Sequence, residues 1–515
     1  MSRTSRNEAI TLRRLRRHRQ RELRRSQRTA GIDTRGHTTR PNRTSRYQSI
    51  SEEQEGRSEA VLAYAQLIRQ QLPILLEELS RIPDPRNPQL LQHALTTLMV
   101  YGILMFVLQT GSRRRSNEIL SAPAMKETLQ TLFPDLQSLP HHDTLYRLLV
   151  RIEPEGIAAA HLALVRRLIR DKKFADHLVD DCYLIGIDGT QKMVRRQLPA
   201  QGWLQRQVGA EGKKTAQYYV YVLEASLVLS NGVALPLMSE FLDYRLGDSE
   251  REKQDCELRA FSRLTKRLKK AFPHLRIMLL LDGLFACGPV IERCRSYGWH
   301  YMIVLQEGSL PYVWQEFRGL RKMMGAEGRL EQRWGDRHQL FETVNDIDYR
   351  WEDNQRKHAT LHMIVCREDW QEVNEKGEEV TRTSKWAWIC DLPFDSSRVH
   401  TRCNLAGRHR WTIEEGILTE KRRGYDYEHC YAYDWNAMRG YHCLMQLGHL
   451  LNVLASFLGS LLDLVKEYGM QGLLAWIRST LSGLWLQWEQ VKDRLSAPFH
   501  LRLLFPLPEA PTLTG

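Results

Sequence analysis

Two stretches of the chain, Tyr183-Leu-Ile-Gly-Ile-Asp188 and Arg276-Ile-Met-Leu-Leu-Leu-Asp282, run apolar up to an aspartate, and a glycine follows each aspartate. Runs so short and so apolar read as strands buried on both faces, an arrangement that needs helices above and below the sheet. This directs the chain to an α/β fold. The segments between and after the two runs fit that reading. Residues 218–229 and 233–242 read as a hairpin about Ser230-Asn231-Gly232, residues 249–272 as an amphipathic helix, 290–297 as a helix and 300–305 as a strand.

Strand, hairpin, helix, strand, helix, strand is the order of a ribonuclease-H-like mixed sheet, and the expected core spans 179–306 and 402–460. Between these parts, 307–401 changes texture. Alternating aromatic, β-branched and polar residues at 340–349, 361–366 and 385–391 predict antiparallel strands, hence a β-rich insertion. Upstream, 58–79, 88–109, 143–151 and 154–170 carry helical spacing, with Pro73 expected to kink or divide the first, and 59–178 reads as one helical domain with a possible role in recognising DNA ends. Helices are also expected at 404–423, 435–458 and 473–495. The last belongs to a C-terminal helical segment, 461–515, a candidate for oligomerisation.

The charge is carried at one end. Residues 1–46 hold 15 Arg against Glu8, Glu22 and Asp33, so almost all of the formal net charge of +13 lies there. Residues 1–58 are expected to form a disordered basic tail drawn to a polyanion, with nucleic acid the first candidate because guanidinium pairs bidentately with phosphate. With 515 residues, 42% hydrophobic, the remainder has ample material for packed cores. Nine scattered cysteines without a Cys-x2-Cys pair exclude a zinc ribbon and a disulfide framework, and predict reduced thiols in an intracellular protein. The tail lacks the apolar run of a secretory signal, and residues 94–110, the most apolar stretch, are too short and too polar for a comfortable membrane span.

Carboxylates at the ends of buried strands suit a hard cation, since strand ends are where ligands meet an open sheet. A third acid is found by helical geometry. Arg410, Glu414 and Lys421 stand at i, i+4 and i+11, on one face of a helix, whereas Glu415 is turned well away from Arg410.

Asp188, Asp282 and Glu414, with a β-rich insertion before the third acid and Arg-x3-Glu-x6-Lys around it, resemble a bacterial insertion-sequence DDE transposase of the Tyr-x2-Arg-x3-Glu-x6-Lys group. Gly424-Tyr-Asp-Tyr-Glu-His429 and Asp434-Trp-Asn-Ala-Met-Arg-Gly-Tyr-His442 resemble the segment after that signature, so the likeness covers roughly 183–460. It implies catalytic and metal-binding Asp188, Asp282 and Glu414 holding two Mg2+ ions, with Mn2+ as substitute. It implies that Arg410 and Lys421 contact DNA. Partners are double-stranded DNA, both mobile-element ends and target, and a second copy of the chain in the DNA complex; no membrane is expected, and the location is the cytoplasm, beside the nucleoid. The signature tyrosine falls at Gly407, and Trp411, Tyr425 and Tyr427 are alternatives for its role. Two rival readings stay open: a nuclease of the same fold that does not join strands, and an inactive transposase-derived DNA-binding protein.

Overall fold

The computed structural model describes residues 3–34, 44–136, 138–210, 213–246, 255–351, 356–483 and 486–504. In place of the expected disordered tail, α1 (Arg3–Thr29) is helical, and α2 (Ile50–Ser80) begins inside the residues assigned to that tail. Arginine is a good helix former, so the basic segment needs only a surface to lie on. Pro73 does not divide α2, which continues through it with the proline exposed. The helical region continues with α3 (Leu95–Val107), α4 (Arg113–Leu120), α5 (Pro123–Leu132), α6 (His142–Leu149) and α7 (Glu155–Arg170). The residues expected as one helix over 88–109 open with a short 3-10 turn at Pro88–Leu90, and only α3 is α-helical.

The sheet follows: β1 (Tyr183–Arg195), β2 (Leu204–Val208), β3 (Thr215–Val228), β4 (Ala234–Phe241), α8 (Glu257–Ala271), β5 (Ile277–Leu281), α9 (Gly288–Tyr297) and β6 (His300–Val304). The start expected for α8, at 249, lies outside the described residues. Then come α10 (Pro311–Met323), β7 (Arg329–Trp334), β8 (Arg337–Trp351), β9 (Lys357–Val373), β10 (Glu379–Cys390), α11 (Trp411–Arg422), α12 (Trp435–Ser456), α13 (Leu462–Leu481) and α14 (Trp488–Ser496). The single helix expected over 473–495 is thus two, and the one expected over 404–423 starts only at Trp411 after a 3-10 turn, Gly407–Arg410.

The ten described strands form one mixed sheet in the order β2-β3-β1-β5-β6-β10-β9-β8-β7, with β4 also on β3. β1 is antiparallel to β3 and parallel to β5, and β5 is parallel to β6. The β-rich segment 307–401 continues this sheet. Trp388, Ile389 and Cys390 of β10 pair with Val304, Ile303 and Met302 of β6, which extends the sheet instead of leaving the apolar β6 edge unpaired.

The helical region 59–178 packs on the C-terminal helices. α3 is apolar all round and sits against α12, where glycines permit contact: a Cβ on Gly102 would lie 2.7 Å from Leu444, and one on Gly448 would lie 2.7 Å from Phe106. The stretch with the hydropathy nearest to a membrane span is thus the centre of a packed protein core, and no described helix is long and apolar enough to cross a membrane. α13 is seated on α2, with Arg57 4.8 Å from the Trp476 ring centroid and its Nη1 donating to Thr480 at 2.9 Å. All nine cysteines are free thiols.

Candidate active site

Asp188 and Asp282 are brought together by strand register. Gly186 of β1 lies opposite Leu280 of the parallel β5, and each aspartate follows two residues later, so both reach the same height on neighbouring strands, about 5 Å apart. Asp188 accepts a 2.9 Å hydrogen bond from the Gly189 N–H, and Asp282 caps the turn at Gly283–Phe285 by accepting from Leu284 N–H at 3.0 Å. Gly186 also admits a helix: with no side chain there, Ile413 approaches to 3.5 Å of where a Cβ would stand, and the start of α11 rests on β1.

That seat places Arg410 and Glu414 beside Asp188. Arg410 ends the 3-10 turn and is 4% exposed; its Nη2 donates to Glu414, and its Nη1 lies 3.9 Å from Asp188 Oδ2. Nε and Nη1 of Arg410 have no hydrogen-bond acceptor among the described residues. Glu415 is exposed on the far side of the helix. Burial is the main reason the Asp188 carboxyl is raised from 3.8 to about 6; Arg410 and the Gly189 N–H act against it, while Glu414 and Asp282 add to it.

Lys421 is on the same helix face but not at the acids. Its Nζ donates to the Gln191 carbonyl at 3.0 Å and pairs with Glu428 at 3.0 Å, about two turns along α11 from Glu414. Spacing fixes the angle of Lys421 about the helix axis but not its rise along that axis. The alternatives for the missing tyrosine also separate. Tyr425 and Tyr427 are buried, the first accepting from the Asn452 amide and the second donating to Glu224, whereas Trp411 is 44% exposed with Arg410 4.2 Å from its ring centroid. Gly407 has no space for any side chain: a Cβ would lie 2.8 Å from Trp388 Nε1 and 3.0 Å from Met302.

Sequence reasoning missed two neighbours. A Cβ on Gly189 would lie 2.7 Å from the Tyr221 hydroxyl and 3.0 Å from the Glu257 carboxyl carbon, so β3 and the first turn of α8 close over the glycine after Asp188. The Tyr221 hydroxyl donates to Glu257, whose carboxyl is nonetheless raised, chiefly by burial and further by Asp282. No local pattern in the sequence pointed to either: the helix was expected to start at 249, which put Glu257 in its interior. Behind them Glu224, the cross-strand partner of Asp188, is fully enclosed by Tyr427, Ser239, Gln446 and His442. A bulge between Gln191 and Met193 turns Lys192 into this group, and burial lowers its ammonium to about 8.

The donors at the Asp188 end are all carboxylate oxygens, the set that suits Mg2+ or Mn2+. They do not yet form a tight cage. Among the described residues, the cluster whose ligand atoms lie within 4.8 Å of one another is His141, His142 and Asp143, where Arg113, 3.8 Å from Asp143, already supplies positive charge.

Residues 76–165, from the end of α2 into α7, match the family described as DDE_Tnp_1-associated. No curated protein matches the chain. Among solved structures, a piggyBac transposase synaptic complex with hairpin DNA is similar over 85% of each chain, at 10% identity and a TM-score of 0.33. A likeness of that depth carries no weight for the site.

Proposed function

We propose that the chain is a DDE transposase, which cleaves double-stranded DNA at the ends of a mobile element and joins those ends to target DNA by two-metal-ion phosphoryl transfer. The observation that carries this reading is the equal height of Asp188 and Asp282 on adjacent parallel strands, with buried Arg410 between Asp188 and Glu414. The order β4-β3-β1-β5-β6, antiparallel as far as β1 and parallel beyond it, supports a ribonuclease-H-like core. The family match at 76–165 supports a transposase independently of the acids. A bacterial insertion-sequence origin, a homodimer on DNA and a cytoplasmic, nucleoid-associated location belong to the same proposal.

Asp188, Asp282 and Glu414 would hold the ions, and the fit rests on their chemistry: oxygen donors alone, with Asp188 raised by burial and by its acidic neighbours. Bound there, two Mg2+ ions supply Lewis-acid stabilisation of the attacking and leaving oxygens of an in-line displacement. The chain's own residues do the rest. The Gly189 N–H fixes the Asp188 carboxylate, and the Leu284 N–H fixes that of Asp282. Arg410 has donors to offer a phosphate oxygen, in a buried setting where a fixed positive charge counts most. Lys421 meets the DNA backbone further along β1.

The test is a cleavage and strand-transfer assay on the DNA flanking the gene, with and without Mg2+. Wild type is expected to cut and join only with the ion, and Asp188→Ala, Asp282→Ala and Glu414→Ala to bind ends but not cut. Cutting without joining would favour the nuclease; activity in Glu414→Ala and its loss in Glu415→Ala would move the third acid.

A further inference from the structure

On the face of the sheet that carries Arg410, tryptophans and arginines alternate from the acids to the far edge. Arg410 lies 4.2 Å from the Trp411 ring centroid, and Trp411 stands edge-on to Trp386 at 6.3 Å. Arg408 is next, 4.9 Å from Trp386 and 5.4 Å from Trp334, and beyond it Arg337 lies 3.9 Å from Trp370. Register explains the line: Trp386 pairs with Cys366, Ser384 with Glu368 and Arg382 with Trp370, so these residues share one face of β9 and β10. Glu368, 3% exposed, fixes both middle arginines, accepting from Arg337 at 2.6 Å and from Arg408 at 2.5 Å. Their guanidinium planes are therefore held on the indoles.

The line ends under α1. Arg19 Nη1 donates to the Gly377 carbonyl at 2.7 Å, the Val373 N–H donates to Gln20 at 3.2 Å, and Arg16 lies 3.8 Å from Glu372. These contacts hold the helix across the β9–β10 end and leave a cavity of about 710 Å³ lined by Arg13, Arg17, Arg24, Arg337 and Trp370. Among the described residues the guanidinium groups of Arg13, Arg17 and Arg24 have no hydrogen-bond or ion-pair partner, and the acids lining the cavity are Asp336 and Glu372. Three uncompensated guanidinium groups beside an aromatic floor are a site for a ligand that alternates anions and flat rings.

We propose that this track binds an unpaired DNA strand leading away from the acids, with bases against Trp411, Trp386 and Trp370 and phosphates on the arginines of α1. The inference rests on the transposase reading for its ligand and extends it to a second site. A duplex does not fit, because its bases present their faces to each other and not to side chains, whereas unpaired bases stack on aromatics without regard to sequence. Trp388, buried beneath Trp386, and Trp351, packed against Gly288, are not part of the track.

Binding of a fluorescein-labelled oligo-dT strand and of a labelled duplex to the full chain, followed by anisotropy in EDTA across a salt series, tests this. Arg13, Arg17 and Arg24 changed together to Gln are expected to weaken oligo-dT binding at least about tenfold and to lower the slope of log affinity against log salt by about 2, from roughly 0.7 per phosphate contact on single strands. Trp370→Ala is expected to weaken it by about five- to a hundredfold, with Trp370→Phe retaining most of the affinity. The duplex is expected to lose little in either variant. Unchanged oligo-dT affinity in both variants, or an equal loss for the duplex, overturns the track while leaving the transposase reading intact. A wild-type chain that binds neither probe overturns both.

Discussion

Asp188→Asn is expected to make the ion-free protein more stable at neutral pH while abolishing cleavage. The carboxyl is raised from 3.8 to about 6, chiefly by burial, so between those values the folded chain holds a proton that the unfolded chain has released, and stability falls as pH rises through that window. Two pKa units correspond to about 3 kcal/mol, fully felt above pH 6 and absent below 3.8. Asparagine has the shape of the protonated acid and no charge to desolvate. The assay is the melting temperature of wild type and variant in EDTA from about pH 4 to about pH 8, a range that spans the shifted carboxyl. The variant is expected to melt higher at the alkaline end, and the gap to close as pH falls to the acid end. Adding Mn2+ is expected to raise the wild type and not the variant, reversing the order. A variant that melts at or below wild type at the alkaline end, or a gap independent of pH, would refute the claim that Asp188 is held ionised at a cost.

Arg410→Ala is expected to lower both cleavage and stability, because Arg410 is buried between two acids and is no surface ion pair; thermal melts and a cleavage time course measure the two, and a normal melt with lost cleavage would leave only the phosphate role. Gly407→Ala is expected to destabilise by about 1–3 kcal/mol, since its Cβ would stand 2.8 Å from the fixed indole of Trp388, and a melt unchanged from wild type would show that Trp388 is free to move. Glu257→Gln is expected to reduce the Mn2+-induced rise in melting temperature, because its carboxyl lies against Gly189 and is itself raised in part by Asp282; an identical rise would remove Glu257 from the ion's surroundings.

What was legible in the sequence was whatever depended on local pattern. The runs ending at Asp188 and Asp282 mark β1 and β5 because burial on both faces leaves no polar position to confuse the period. The hairpin about Asn231-Gly232 was equally plain. Elements defined by distant partners were not. β2 and β7 are short and polar, and they exist because β3 and β8 present edges to them. The segment 307–401 read as an insertion because its texture differs, yet only the pairing of β10 with β6 reveals that it extends the same sheet. Helical angle brought Arg410 and Glu414 together but overstated Lys421, and no local pattern pointed to Tyr221 or to Glu257 as neighbours of Asp188.

The departure at Gly407 has a steric cause in one large side chain. Trp388 is fully buried on the face of β10 that meets the turn Gly407–Arg410, and it occupies the volume that a side chain at 407 would need. Its indole stacks with Trp386 at 6.0 Å, nearly parallel, and Trp386 in turn supports Trp411 edge-on. An aromatic at 407 is thereby excluded, while one at 411 is held beside Arg410 with 44% of its surface exposed. Residue 411 follows the arginine that 407 precedes, and its exposed ring lies beside the buried guanidinium of Arg410. Tyr425 and Tyr427, tied into the buried hydrogen bonds of Asn452 and Glu224, have no such access. On the proposed function, exposure makes Trp411 the ring within reach of DNA, and Trp411→Ala is expected to weaken the hold on the DNA end while Tyr425→Phe, which removes only a buried hydroxyl, is expected to alter stability and leave end binding unchanged; the reverse pattern in gel-shift and melting measurements would return the role to the buried tyrosine.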